Sequence, residues 1–280
     1  ASASPFTQPE WLVYSKSSPT TQFDVFASRD DTSDQVQVTR IPGNEDVASV
    51  SPNGQKLLIQ QEVNGVYRLI TVNRDGTDLR VVSRSTDRPN IGGSAWSPDG
   101  QSIVFGNNYN GAGRQSLVVA TATGGHRHEF AFDANGDAAW GPDGRIAYET
   151  GSELVVVDRN GVEQWRNPTR GHPYGWTPDG RGIVVINGGR SLGSKIWVVP
   201  SNGTSLLRGA KPWFDAEIQI GPRSELSTPP DIAPVSGRAV FVVYNALLDT
   251  PELAILSPNG ALTIKPPALF TGWNPAWGSS

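Results

Sequence analysis

The amino-acid sequence predicts an all-β fold: a six-bladed β-propeller of four-stranded antiparallel blades, its ring closed by the C-terminal strand pairing with the N-terminal blade. Three observations lead there. A short phrase recurs as SPNG at 51–54, SPDG at 97–100, GPDG at 141–144 and TPDG at 177–180. A small residue, Pro, Asp or Asn, then Gly is hairpin-turn chemistry: Pro presets φ, the Asx side chain bonds back to the local backbone, and Gly accepts φ > 0. Each copy is followed by a run rich in Ile, Val or Leu, and three copies follow Trp96, Trp140 or Trp176. Recurrence at roughly 35–55 residues marks a repeat architecture.

The units follow one plan: an approach segment, the turn phrase, two β-rich runs, a second Gly turn and a last short run. At 46–83 the runs are Val47–Val50, Lys56–Gln60, Tyr67–Val72 and Leu79–Ser83. At 92–132 they are Gly93–Trp96, Ser102–Gly106, Ser116–Ala120 and His128–Phe132. At 137–166 they are Ala138–Trp140, Arg145–Glu149, Glu153–Val157 and Val162–Trp165. At 173–208 they are Tyr174–Trp176, Gly182–Ile186, Lys195–Val199 and Thr204–Leu207. Four antiparallel runs with hairpin links at this spacing form a blade. The unit at 216–265 is degenerate: Glu217–Ile220 stands as its approach strand, Gly221-Pro222 as its turn, and an insertion at 223–237 precedes Arg238–Tyr244. The remaining unit is split, with 272–280 supplying the approach strand and 10–40 the other three. Turn positions then fall at 51, 97, 141, 177, 221 and 278, and the intervals between them use the whole chain as one domain, 1–280.

Composition narrows the function. A 37% hydrophobic content with 9 Trp can bury a large core, which excludes disorder. A net charge of −4 gives no electrostatic footprint for nucleic acid or an anionic membrane. No apolar run approaches the roughly 18 residues of a membrane span. Cysteine is absent, excluding disulfides and thiolate metal sites, and methionine is absent too. Lack of both sulfur residues suits an oxidising compartment, and Ala1-Ser2-Ala3-Ser4 has the small-residue character of a signal-peptidase site. An exported monomer, periplasmic or secreted, is expected.

The WSPDG phrase, the β run after it, a segment such as Lys195-Ile196-Trp197-Val198-Val199 and a turn such as Arg74-Asp75-Gly76 resemble the WD-like propeller repeat of the TolB family. The resemblance runs through nearly all of the chain and implies a six-bladed propeller; it matches only the propeller part of TolB proteins, which carry a further N-terminal α/β domain. TolB's role as a periplasmic partner of an outer-membrane lipoprotein is one implication. The same repeat occurs in secreted sugar-binding and sugar-cleaving propellers and beside peptidase domains. The chain has no G-x-S-x-G, which excludes the peptidase form.

In a propeller the approach strands line a central channel, and residues just before them form one mouth. Counting three to five positions back from the residue before each turn phrase places Glu45 and Asp46, Ile91 to Gly93, Asn135 to Asp137, His172 and Pro173, Asp215 and Glu217, and Trp273 and Asn274 at that mouth. Such an acidic ring suits a cation, an amine or a basic peptide segment, although Asp and Asn also cap turns everywhere. Trp213 and Trp273 break the repeat beside Asp215 and Asn274, as aromatics that grip sugar rings or side chains do. The expected ligand-binding set is therefore Asp46, Asp137, His172, Trp213, Asp215, Glu217, Trp273 and Asn274.

Calcium is the metal to consider: Asp133, Asn135 and Asp137 offer oxygens at alternate positions, but the downstream bidentate Glu of a full loop is missing. No cofactor is required. His126 and His128 share one side of a strand, a pair that suits zinc or copper or simply a solvated face. The first functional reading is a non-catalytic module that recognises a protein segment or a glycan. The second is a secreted polysaccharide lyase or glycoside hydrolase using His172, Tyr174, Asp137 and Glu217, which would carry one mouth histidine where lyase propellers rely on several. The third is a structural propeller of a larger assembly.

Overall fold

Strands buried on both faces organise this chain, and the computed structural model shows near-continuous buried runs along Glu10–Ser17, Lys56–Val63, Ile146–Thr150, Gly182–Ile186 and Ala239–Asn245. The structure describes residues 4–17, 22–83, 89–109, 114–151, 153–168, 171–186, 195–204, 211–220, 224–245, 247–265 and 273–279; residues 7, 89–92, 108–109, 114, 217, 225 and 273 are described in backbone only. In chain order the strands are β1 (Glu10–Ser17), β2 (Phe23–Ser28), β3 (Val36–Gln37), β4 (Asn44–Val50), β5 (Lys56–Val63), β6 (Val66–Asn73), β7 (Arg80–Val81) and β8 (Pro89–Trp96). They continue with β9 (Ser102–Tyr109), β10 (Arg114–Thr121), β11 (His128–Trp140), β12 (Ile146–Thr150), β13 (Leu154–Val157), β14 (Glu163–Asn167), β15 (His172–Trp176) and β16 (Gly182–Ile186). The last are β17 (Lys195–Pro200), β18 (Phe214–Asp215), β19 (Glu225–Leu226), β20 (Asp231–Ile232), β21 (Ala239–Asn245), β22 (Thr250–Leu256), β23 (Leu262–Lys265) and β24 (Trp273–Ser279). Helix is confined to a 3-10 turn at Pro5–Thr7 and α1 (Ala216–Gln219) among the described residues, so no helix is long and apolar enough to cross a membrane.

All pairings are antiparallel. The sheets run β24-β1-β2-β3, β4-β5-β6-β7, β15-β16-β17-β18 and β19-β21-β22-β23 with β20 also on β21. A seven-stranded sheet joins β8 to β14, because β11 is one continuous strand that pairs with β10 in its first half and β12 in its second, with register shifts at both junctions. Inner strands pack in the order β24, β4, β8, β11, β15, β20 and back to β24. The C-terminal strand lies on the N-terminal one, Leu12 opposite Trp277 and Val13 opposite Ala276.

Sheets buried on both faces send successive residues into different cores. On β5, Leu57 and Ile59 join Trp11, Val13 and Val25, whereas Leu58 joins Trp96, Ile103 and Phe105. On β16, Ile183 and Val185 pack with Ala147 and Val156, whereas Val184 and Ile186 pack with Phe214 and Phe241. On β21, Phe241 and Val243 face that second cluster and Val240 and Val242 face Leu12, Tyr14 and Trp277. Each large apolar side chain removed from water in this way stabilises by roughly 1.5–3 kcal/mol.

The recurring phrase closes each inner hairpin. Ser51 N–H donates to Lys56 O and Gly54 N–H to Ser51 O; the same pair of bonds recurs at Ser97/Gly100, Gly141/Gly144 and Thr177/Gly180. The Asx carboxamide or carboxylate accepts the N–H two residues on, as Asp99 does from Gln101 at 3.0 Å. Two expectations are corrected. Residues expected as the strand Glu217–Ile220 form α1 and its C-cap, and the turn expected at 221–222 lies outside the described residues. The inner strand of that unit is instead β20, inside what reads as an insertion, and its turn is Ala233-Pro234-Val235-Ser236-Gly237: Ala233 N–H donates to Arg238 O and Gly237 N–H to Ala233 O. One added residue and the loss of the Asx hide this turn from the pattern.

Candidate functional site

Two chemistries meet in the channel between the inner strands. At the end away from the turn phrases, β11, β12 and β15 bring together Asp137, Glu149, His172 and Tyr174. His172 Nδ1 sits 2.9 Å from Asp137 Oδ2 and 3.1 Å from Glu149 Oε2. Both carboxylates lie within reach of this one nitrogen, so each stabilises the protonated ring. Asp137, then Glu149, raises the imidazole above its ordinary value against the opposing effect of burial. Glu149 is itself held by Gly171 N–H at 3.2 Å and Asn135 Nδ2 at 3.3 Å. Burial, with Asp137 and Glu149 adding to it, lifts the Tyr174 phenol far above its usual range. His172 and Tyr174 lie on the same strand with ring centroids 6.3 Å apart.

Around the same mouth, Asn274 Nδ2 donates to Asp46 Oδ1 at 3.2 Å, joining β24 to β4. Burial raises Asp46, offset by Asn274 and Ser15. Glu45 is fully buried and accepts a bond from the Thr39 hydroxyl, while its Oε1 has no partner. Burial pushes its carboxyl up to about 7. Asp215 is buried and pairs with Lys195 Nζ at 3.0 Å. Carboxylates outnumber the basic groups here, and most of them are already engaged.

Other expected residues are placed differently. Trp213 donates its indole N–H to Ser257 O at 3.1 Å and packs on the core around Phe214 and Phe241, a strut between neighbouring sheets. The side chains of Glu217 and Trp273 lie outside the described residues. Asp133 and Asn135 are exposed, while Asp137 is buried against His172. The imidazole nitrogen occupies the point where Asp137 and Glu149 converge, and no group of three His, Asp or Glu side chains suited to a metal ion exists among the described residues. His126 and His128 are both exposed, and His128 contacts Asn160 O at 2.9 Å and stacks on Phe130.

Sequence reasoning missed Glu149, Lys195 and Asp231. Glu149 and Lys195 are at strand ends opposite the turn phrases, so the same counting applied to the second and third strands finds them. Asp231 is in the channel wall, with Tyr174, Ser49 and Ala95, at the junction of two connected spaces. The upper space, of about 80 Å³, is bordered by Asn274 and Pro275. The lower, of about 440 Å³, opens among the prolines of the turn phrases. Asp231 is half-buried, with part of its surface facing this space. Trp277 N–H donates to its Oδ2 at 2.6 Å, and burial pushes its carboxyl up to about 7.

No protein-family profile and no curated protein sequence matches the chain. Solved structures do. TolB from Acinetobacter baumannii superposes with a TM-score of 0.70 at 15% identity over 96% of this chain and 66% of that one. A putative TolB from Agrobacterium tumefaciens gives 0.61 at 19% identity, covering 97% of this chain and 90% of the other. A chain of a nidogen/laminin complex gives 0.63 at 9% identity, covering 96% and 98%. The chain therefore spans just under two-thirds of the A. baumannii protein. At these identities the likeness is one of fold, a TolB-like β-propeller.

Proposed function

We infer that this chain is a non-catalytic binding module: a six-bladed propeller, closed by β24 on β1, whose acidic channel mouth recognises a protein segment or a glycan. Blade number and closure are supported by the circular order of the inner strands and by six buried clusters that each join two consecutive units. An exported setting fits the absence of cysteine and methionine.

One observation carries the choice of binding over catalysis. His172 Nδ1 is clamped between Asp137 and Glu149, which favours the imidazolium. An imidazolium donates hydrogen bonds and accepts no proton, and the Tyr174 phenol is held too high to ionise near neutrality. The mouth presents donors and acceptors to a polar ligand. Both carboxylates touch one nitrogen, so they are closer than the roughly 6.5–9.5 Å an inverting glycosidase keeps. Engaged charges favour neutral, hydrogen-bonding partners with aromatic-sized faces over a bare metal ion.

The second reading rests on the same contact. A carboxylate behind Nδ1 also orients an imidazole for acid–base work, as in a lyase or hydrolase. His172→Ala separates the two. Peptide-library and glycan-array binding, with chain cleavage of the bound glycans, is measured for both proteins. A binder loses about tenfold in affinity and never cleaves; turnover by the unmodified chain that drops by about a hundredfold or more in the variant overturns the binding reading.

A further inference from the structure

The turn-phrase end of the channel holds a charge that the mouth chemistry does not use. The second residue before each inner turn is small in five units: Ser49, Ala95, Ala139, Gly175 and Ala276. Register places Asp231 at the same point of β20, opposite Val240 as Ala95 is opposite Val104. Asp231 is the one charged side chain among the described residues that border the 440 Å³ space. Its Oδ2 takes the Trp277 N–H, and no Lys, Arg or His among the described residues pairs with it. Arg238, which lies over the Trp277 ring, is taken up by Glu10 at 2.9 Å and Asp30 at 3.0 Å. A half-buried carboxylate without a countercharge is costly, so the space is built for a cation or for a proton.

The walls choose among cations. Pro52, Pro98, Pro142, Pro178 and Pro234 ring the opening, and alanine and tryptophan carbon covers much of the rest. Calcium or magnesium needs six or more oxygens, and this lining offers one carboxylate. A guanidinium carries five donors, more than the lining can satisfy. An ammonium on an alkyl stem matches both halves: a compact charge for the carboxylate and methylenes for the apolar wall. Ser49 Oγ, buried and without a hydrogen-bond partner, borders the same space and offers a second acceptor. The volume lies within the range of small-molecule sites. We propose that this end of the channel binds a primary alkylammonium ion, with Asp231 as its counter-ion and the proline rim around its stem. The proposal does not depend on the reading given to the opposite mouth.

Titration of the whole chain with n-hexylammonium chloride, hexanol and hexanoate tests it, followed by calorimetry and two-dimensional amide NMR. Hexylammonium should bind saturably, raise the melting temperature and shift the Trp277 backbone amide, which is bonded to Asp231. Hexanol should bind at least about tenfold more weakly, and hexanoate not at all. Asp231→Asn, which keeps the side-chain shape, should cost at least about tenfold in hexylammonium affinity. N-acetyl-lysine methylamide, titrated in parallel, distinguishes a free amine from a lysine side chain as the bearer of the charge, and either result upholds the ammonium site. Absent binding, equal binding of hexanol, unchanged affinity in Asp231→Asn or an unmoved Trp277 amide overturns it; the NMR readout does not depend on any variant folding.

Discussion

Asp231, Glu45, His172 and Glu10 shape how this chain responds to pH. Burial places Asp231 and Glu45 each at about 7 in the fold, against about 4 when unfolded. The folded chain therefore holds protons that the unfolded chain releases, and stability falls as pH climbs from about 4 to about 7. His172 acts in the same direction: its pairing with Asp137 stabilises fully below its unfolded value and is lost as pH rises through its elevated folded value. Glu10, held low by Arg238 and Ser236 in spite of burial, acts oppositely, its contribution being lost as pH falls through its lowered value. Stability should peak near about pH 4. Asp231→Asn should then raise stability at pH 8 by on the order of 2–4 kcal/mol and flatten the fall between pH 5 and 8. Urea denaturation at the two pH values measures this; equal curves for variant and parent would refute the assignment. Neither shifted acid is legible as such in the sequence, because burial is a property of neighbours. Asp231 reads there as part of a proline-rich insertion.

At the level of elements, the hairpin phrase was legible because its chemistry is local. Pro, Asx and Gly within five residues satisfy one another, so Ser97-Pro98-Asp99-Gly100 announces its turn without any tertiary partner. The variant at Ala233–Gly237 was hidden because its stabilising contacts are distant. Ser236 bonds to Glu10, more than two hundred residues away in sequence. The helix at Ala216–Gln219 was hidden likewise, its four residues carrying no helical periodicity of their own. Close approach explains Gly106: a Cβ there would run into the Gly136 carbonyl of the bulged strand β11. Gly106→Ala should cost roughly 2 kcal/mol or more, seen as a lower urea midpoint, whereas Gly144→Ala, which has open space but φ +87, should cost only the left-handed strain of about 1 kcal/mol. Equal costs at the two positions would contradict the packing account.

At the scale of the molecule, the two ends of the chain meet in one sheet. Gly54 lies against the Ser279 carbonyl, Ser279 Oγ reaches Pro52 O at 3.3 Å, and β24 covers β1 along its length. Removing residues 273–279 would bare the edge of β1, withdraw Ala276 and Trp277 from two buried clusters and leave Asp231 without its Trp277 donor. We expect the truncated chain to lose its single cooperative transition in calorimetry and to associate in size-exclusion chromatography; a cooperative monomer with unchanged melting temperature would argue against closure. The sequence by itself determined the all-β class, the repeat and the position of most strands, because hairpin chemistry and apolar β-rich runs are written in neighbouring residues. It also brought His172 and Asp137 to one mouth by counting from the turns. Only the tertiary structure decided that Glu149 completes that pair, that Trp213 is spent between sheets and that Asp231 is the one charged side chain among the described residues bordering the lower space. Those outcomes depend on which strands meet across the ring, a long-range arrangement that no local pattern encodes.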